Sequence, residues 1–324
     1  MQAFIKLIAT LAISTTTVMA HGQSDPGSFP SKPIKLVVPY PPGSGTDTVA
    51  RYAARRLEGK LSQPVVVENR TGGNAIIAVQ AVTGAAPDGY TLLWAANAPV
   101  TTNVALYNKL PYDPLHDLSA IARIAYSPMG LLVPANSPYQ TATELLNATK
   151  TSPMKLNYAS GSATYNIATE WLLSIAGGKA NLVSYKGAAP AMIDLAGGQV
   201  DFTIVELSAA LPMVKSGKVR LLAVTSDKRM PSEPNTPSLQ ELGYKDFFQV
   251  AWWGVFGPKA LPDTVRTKLE DALLSTMADA QSKEYLQQNN FSEFLGKSQT
   301  LREFQTKEIE RESRLVNAFK IPKL

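Results

Sequence analysis

The chain has 324 residues, of which 45% are hydrophobic and 18% charged, so it is long enough for two domains and too apolar to be wholly disordered. Cysteine is absent and histidine occurs only at His21 and His116, which leaves almost no material for thiolate zinc sites, cysteine nucleophiles or a serine triad. The formal net charge is +5, but the basic residues are scattered, which argues against a nucleic-acid partner. No uncharged apolar run reaches about 20 residues, so an integral membrane protein is excluded.

The first twenty residues differ from the rest of the chain. Lys6 precedes an apolar and hydroxylated run over residues 7–20, and Val18-Met19-Ala20 fits a small-x-Ala cleavage site. This pattern predicts a secretory signal peptide over residues 1–20, cleaved after Ala20, and hence a periplasmic protein. The alternative is an uncleaved membrane anchor, which the short run and its hydroxyl residues 14–17 disfavour.

Beyond the leader, short apolar strands alternate with longer helical segments, which indicates an α/β protein with a mostly parallel sheet. In chain order, strands are predicted at residues 34–39, 65–68, 91–95, 130–134, 157–159, 182–184, 202–205, 221–225 and 252–257. Apolar residues at helical spacing predict helices over residues 49–61, 76–83, 167–175, 264–280 and 300–319.

The strands at residues 130–134 and 221–225 bracket a middle third that has strands and helices of its own. We therefore expect residues 130–225 to form a second lobe, inserted into a first lobe made of residues 30–129 and 226–324. Two connecting strands of this kind suit a hinged protein with a ligand cleft between its lobes. A single doubly wound domain is the alternative.

Two segments, one in each expected lobe, share a strand–loop–helix design. In the first, Ser44 and Asp47 have capping-box spacing behind a Pro/Gly-rich turn, and in the second a strand ends in small residues from Ser160 onward. A helix N-terminus presents unpaired N–H groups and about half a positive charge, which suits an anion. The first loop lacks the Gly-Lys-Ser/Thr ending of a nucleotide P-loop, so a carboxylate is favoured. Taken singly, each loop is also explained as an ordinary capped turn.

Motifs along nearly the whole mature chain resemble those of the Bug-type (TctC family) solute receptors of tripartite tricarboxylate transporters. The similarity lies at residues 39–51, 67–70, 86–93, 110–114, 185–191, 195–201 and 217–225. It implies a two-lobed, type II (Venus-flytrap) periplasmic binding protein fold and a ligand held chiefly by loop amides and ordered water. It also implies a membrane permease as partner. The sequence departs from the family pattern at residues 71–78, at Asn166 where a His is frequent, and at Val205 where an Asp is expected.

The candidate ligand-binding residues come from the two loops and two further strand ends. They are Tyr40, Gly43, Ser44, Gly45, Thr46, Asp47, Asn97, Ser160, Gly161, Ser162, Ala163, Thr164, Tyr165, Asn166 and Glu206. Asp47 is equally explained as a helix cap, and Glu206 as a solvated loop glutamate. We expect no metal, no cofactor, no catalytic residue and a monomer.

The expected ligand is a small carboxylate. Five aromatic residues at loop or strand ends are candidates to line the cleft, namely Tyr40, Trp94, Tyr126, Tyr165 and Phe202. They favour an aromatic dicarboxylate such as terephthalate, with an aliphatic or hydroxylated di- or tricarboxylate as the rival. Two other functions stay open: a sensor that signals to a membrane histidine kinase, and a secreted hydrolase, for which no nucleophile–base pair is evident.

Overall fold

The computed structural model describes residues 29–230 and 232–324, and the predicted signal peptide lies outside them. Within these residues ten strands form two sheets that share one long strand. Four of the strand pairings are parallel and five are antiparallel. The expectation of a mostly parallel sheet is therefore wrong, because every partner of the shared strand runs antiparallel to it.

The first sheet has the order β2-β1-β3-β9-β4, and β10 pairs with the other edge of β4. Its strands are β1 (Ile34–Val38), β2 (Val65–Asn69), β3 (Thr91–Ala95), β4 (Leu118–Pro134), β9 (Val250–Pro258) and β10 (Ser292–Lys297). Alternate residues of β1, β3 and β9 belong to different buried clusters, so both faces of this sheet are covered. Trp252 and Trp253 are both fully buried in β9.

The second sheet has the order β4-β7-β5-β6, and β8 pairs with the other edge of β4. Its own strands are β5 (Asn157–Ser160), β6 (Asn181–Ser184), β7 (Phe202–Glu206) and β8 (Val219–Val224). Because β5 runs parallel to β6 and β7, the carboxyl ends of these strands lie at one edge of the sheet, where the second loop begins.

The two sheets meet where β4 changes partner. Pro128 pairs with Val250 of β9, whereas Met129 pairs with Glu206 of β7. At this point the residue after β8, Thr225, is hydrogen-bonded to β4. The Met129 N–H donates to Thr225 Oγ1 at 2.9 Å, and the Thr225 N–H donates to the Met129 carbonyl at 2.9 Å. The sequence predicted only residues 130–134 of this 17-residue strand, since Pro128 lies at the change of partner and interrupts the apolar pattern.

Ten α-helices lie between and after the strands in the described residues. They are α1 (Gly45–Leu61), α2 (Ile76–Thr83), α3 (Asn103–Leu106), α4 (Ala142–Thr151), α5 (Ala163–Ala176), α6 (Ala188–Ala196), α7 (Leu207–Lys215), α8 (Asp263–Met277), α9 (Ala280–Gln288) and α10 (Ser298–Ala318). The helix predicted over residues 264–280 ends at Met277, because Asp279 caps a new helix by accepting the Ser282 N–H at 2.8 Å. No helix among the described residues is both long and apolar enough to cross a membrane.

Candidate functional site

The two predicted loops lie against opposite sides of one cleft, each opening a capped helix. Ser44 caps α1 by accepting the Asp47 N–H at 3.2 Å, and Ser162 caps α5 by accepting the Tyr165 N–H at 3.4 Å. The serine of each loop therefore accepts the third N–H of its helix, which leaves the earlier amides directed out of the helix end.

Close contacts join the two sides of the cleft. A Cβ added to Gly45 would lie 2.6 Å from Ser208 Oγ and 2.9 Å from Glu206 Oε1, both belonging to the second sheet and its helices. A Cβ added to Gly187 would lie 2.8 Å from Pro41 Cδ. The hydroxyls of Thr102 and Thr164 are also 2.9 Å apart, so the described structure is a closed arrangement of the two loops.

Asp47 is the centre of a hydrogen-bond network inside the first loop. Its carboxylate accepts the Gly43 N–H at 3.0 Å, Arg51 Nε at 2.9 Å and Asn69 Nδ2 at 2.8 Å. Burial opposes ionisation, but these hydrogen bonds from Arg51, Asn69 and Gly43 outweigh it and hold the pKa of Asp47 below its usual value. These bonds make the Asp47 carboxylate part of the loop's internal structure, and its role as a ligand contact stays a prediction.

Two other predicted site residues are engaged by β9. Trp253 Nε1 donates to Thr46 Oγ1 at 2.8 Å. Asn97 Nδ2 donates to the Val250 carbonyl at 3.0 Å, and its Oδ1 accepts the Trp252 N–H at 2.9 Å. The side chains of Thr46 and Asn97 thus tie the first loop and the end of β3 to the sheet, and the prediction of Asn97 as a ligand contact is not supported by this placement.

The second loop is held by hydroxyl, amide and backbone contacts, without an ion pair among the described residues. Ser160 Oγ donates to the Ser162 carbonyl at 2.9 Å, and a Cβ on Gly161 would lie 2.3 Å from the backbone of Gly187. The Tyr158 hydroxyl lies 2.7 Å from Asn166 Oδ1 and 2.5 Å from Glu170 Oε1, so these two oxygens compete for its one proton. Asn166 stands where the family frequently has a His. It is buried at 8% exposure and contacts Tyr158 of β5, so it joins the first turn of α5 to the sheet.

Glu206 lies between the loops, at the end of β7. It is 1% exposed, so the alternative reading of it as a solvated loop residue is wrong. The Tyr165 hydroxyl donates to its carboxylate. Burial raises the pKa of Glu206 to about 7, and the backbone amides of Glu206 and Gly45, which favour the ionised form, only partly offset this. Burial, and then the charge of Glu206, raise the pKa of Tyr40 above its usual value.

Only two of the five predicted cleft aromatics lie at the cleft. Tyr40 and Tyr165 flank Glu206. Trp94 and Phe202 are 0% and 1% exposed in the core, and Tyr126 packs edge-on against Phe294. The expectation of an aromatic-lined cleft is therefore corrected, because strand-end position in the sequence does not show which face of the sheet a side chain occupies.

Two small cavities adjoin the loops, with volumes of about 70 and 60 Å³. Both are lined by Asn74 and Tyr185, which the sequence analysis did not select. Asn74 has φ +48 within the Gly-Gly-Asn run, and Tyr185 opens one of the family motifs, so signals for both were present. A larger cavity of about 490 Å³ lies beside the crossing of the sheets, where Tyr126, Phe294 and Phe304 line it.

Comparison with known proteins agrees with this geometry. Residues 49–321 match the family described as "Tripartite tricarboxylate transporter family receptor". Protein BugT of Bordetella pertussis is 34% identical over 257 residues, which cover 78% of this chain and 79% of BugT.

Solved structures share the whole architecture. Rpa4515 of R. palustris, solved with adipate, superposes with a TM-score of 0.89 at 30% identity, over 91% of this chain and 100% of that chain. MatC from Rhodopseudomonas palustris, solved with bound malate, gives a TM-score of 0.84 at 27% identity, over 89% of this chain and 100% of that chain. The fold is the two-lobed periplasmic binding protein fold predicted from the sequence. The chain therefore belongs to the tripartite tricarboxylate transporter receptor family, whose members are solute-binding receptors and not enzymes.

Proposed function

We propose that this protein is a periplasmic receptor that captures a small carboxylate between its two loops and delivers it to the membrane permease of a tripartite tricarboxylate transporter. The observation that carries the proposal is the convergence of the N-termini of α1 and α5 on one cleft, joined across it by Gly45, Glu206 and Tyr165. Two relatives of the same fold, solved with adipate and with malate, support a carboxylate as the ligand class.

The amides of the two loops supply the affinity in this proposal. Ser44 and Ser162 cap the third N–H of each helix, and the Glu206 carboxylate accepts the Gly45 N–H. The other early amides of the two helices donate to the ligand carboxylate, aided by the helix dipole. A hydrogen bond to a charged group contributes about 1.5–3 kcal/mol. Three or four of them account for a micromolar dissociation constant, about −8 kcal/mol, without an arginine clamp.

Among carboxylates, we place aliphatic di- and tricarboxylates ahead of aromatic dicarboxylates such as terephthalate. The aromatic preference depended on five side chains, and only Tyr40 and Tyr165 lie at the cleft. The cavities beside the loops, at about 70 and 60 Å³, suit a narrow chain better than a rigid ring held in the closed arrangement.

A thermal-shift screen of the mature protein tests the proposal, with adipate, malate, citrate, glutamate and terephthalate as probes. A ligand at a hundredfold excess over its dissociation constant stabilises the native state by about 2.7 kcal/mol, which raises Tm by several degrees. Calorimetry then gives the affinity of each probe that shifts Tm. We expect an aliphatic dicarboxylate to give the largest shift.

A Ser162→Pro variant removes both an amide and the cap of α5 and should abolish the shift. The matched control is Gly59→Ala, in the body of α1, where an added Cβ meets no atom within 4 Å. No shift with any carboxylate would contradict the proposed function. A shift with terephthalate alone would restore the aromatic ligand and leave the receptor function intact.

A further inference from the structure

Glu206 places a carboxylate of the protein itself at the position where the two loops converge. One of its oxygens lies beside Gly45 at the start of α1, where an added Cβ would come within 2.9 Å of it. The other accepts the hydroxyl of Tyr165 from the first turn of α5. Glu206 thus contacts the same helix ends that the proposed function gives to the ligand carboxylate.

The surroundings of Glu206 hold no compensating cation within the described residues that pack on it. The Tyr40 phenol, from the loop after β1, and the Tyr165 hydroxyl of α5 are both neutral. The acidic residue of the first turn of α1, Asp47, directs its carboxylate to Arg51 and Asn69. From β4 the partner is the apolar Met129, and α7 brings the Ser208 hydroxyl. Two carboxylates cannot both stay ionised side by side in such a buried place, since no positive side chain separates them.

We propose that Glu206 makes ligand capture proton-linked: the receptor binds a carboxylate ligand with Glu206 protonated, so that its O–H donates to the ligand carboxylate. This inference rests on the proposed function, because it needs a carboxylate in the cleft. The proton comes from solvent, and one is taken up for each ligand that binds a receptor whose Glu206 was ionised. Burial, which raises the pKa of Glu206 to about 7, puts that exchange within the range where a periplasmic receptor works.

The linkage has a definite sign. Below about pH 7 Glu206 is already protonated and binding needs no proton, whereas above it each pH unit weakens binding up to about tenfold. Glu206→Gln keeps a donor and an acceptor of the same shape but cannot ionise. The variant should therefore bind adipate or malate with an affinity that does not change between about pH 6.5 and pH 9.

Glu312→Gln is the matched control. Glu312 is fully buried, and burial likewise raises its pKa to about 7. Its partners are Arg311, Gln249 and Thr102, and the Thr102 hydroxyl lies 2.9 Å from that of Thr164 in the second loop. A variant at this position tests whether any buried carboxyl with a raised pKa produces the same pH dependence.

Calorimetry with adipate and malate, in buffers of different ionisation enthalpy, measures both the affinity and the protons taken up. At about pH 8 we expect close to one proton per bound ligand for the unmodified receptor and for Glu312→Gln, and none for Glu206→Gln. Binding by the unmodified receptor without proton uptake, or with an affinity independent of pH, would overturn the inference while leaving the proposed function in place. So would loss of adipate and malate binding by a folded Glu206→Gln, because the neutral glutamine should bind as the protonated Glu206 does. If neither dicarboxylate binds the unmodified receptor at any pH, the proposed function itself fails.

Discussion

The two loops have the same sequence design, yet their glycines meet different obstacles. Gly45 of the first loop faces side-chain atoms across the cleft, Ser208 Oγ and Glu206 Oε1. Gly161 of the second loop faces the backbone of Gly187, at 2.3 Å from an added Cβ, on its own side of the cleft. One glycine permits the two sides to approach, whereas the other permits its own loop to form.

The hydrogen bonds that hold the two loops in place also differ. The first loop is bound by the ion pair of Asp47 and Arg51 together with Asn69. The second is bound by hydroxyl and amide groups around Ser160 and Asn166, with the Glu170 carboxylate behind Tyr158. Two helix ends that look equivalent in the sequence therefore differ in their response to crowding and in the ion pair that supports the first of them.

Gly161→Ala should have the largest effect. Its Cβ meets backbone atoms of Gly187, which cannot turn aside as a side chain does, so the second loop must move. We expect the free energy of unfolding to fall by about 1–3 kcal/mol and carboxylate binding to be lost, as measured by denaturant titration and calorimetry. Gly197→Ala, where the nearest contact is an ordinary 3.5 Å, is the control and should change neither. Full binding by Gly161→Ala would show that the second loop does not hold the ligand.

Gly45→Ala should weaken binding without weakening the fold. The nearest atoms that its Cβ meets belong to Ser208 and Glu206 across the cleft, and opening the cleft relieves that clash. We expect affinity for adipate to fall by about tenfold or more, which corresponds to about 1.4 kcal/mol, with unchanged unfolding. Small-angle scattering should then show that adipate shrinks the unmodified protein and the Gly59→Ala control but not Gly45→Ala. Equal shrinkage in all three would contradict closure against Gly45.

Much of the fold was predictable because its signals are local. Strands such as β1 and β3 and helices such as α1 follow from apolar spacing and capping residues within a few positions. The first part of β4 and the whole of β10 were missed, since Ser292–Lys297 carries a glutamate, a lysine and a glycine in place of an apolar run. Pairing with β4, which is distant in sequence, makes that segment a strand.

At the site, too, features with local sequence signals were predictable and features that depend on distant residues were not. The serine caps at Ser44 and Ser162 are local signals, and the structure shows both caps. The burial of Glu206 is not a local property, because its cover comes from Gly45 and Tyr165, which are 161 and 41 positions away in the chain. The same limit explains why Trp94 and Phe202 were expected at the cleft and lie in the core.

Asp47→Asn tests the ionic support of the first loop. The lowered pKa of Asp47 means that its stabilising contribution is complete above the usual pKa of an aspartate and is lost as pH falls through its lowered value. We expect a loss of about 1 kcal/mol at neutral pH, kept small because Arg51 is 43% exposed. The difference between the two proteins should vanish in acid, in unfolding titrations across pH. Asp263→Asn, a first-turn aspartate whose side chain is 86% exposed, should show almost no difference at any pH.

The smallest effect should come from the caps themselves. Removing an N-cap hydroxyl usually costs about 1 kcal/mol, and Ser162→Ala should show that cost because the second loop has no ion pair at its helix start within the described residues. Ser44→Ala should cost less, since Asp47 still accepts the Gly43 N–H and holds the turn in place. Thermal unfolding of both variants, and of Ser44→Ala combined with Asp47→Asn, measures the difference. If Asp47 supports the first loop as described, the double variant loses more than the sum of the two single losses, whereas simple additivity would mean that the cap and the ionic network act independently.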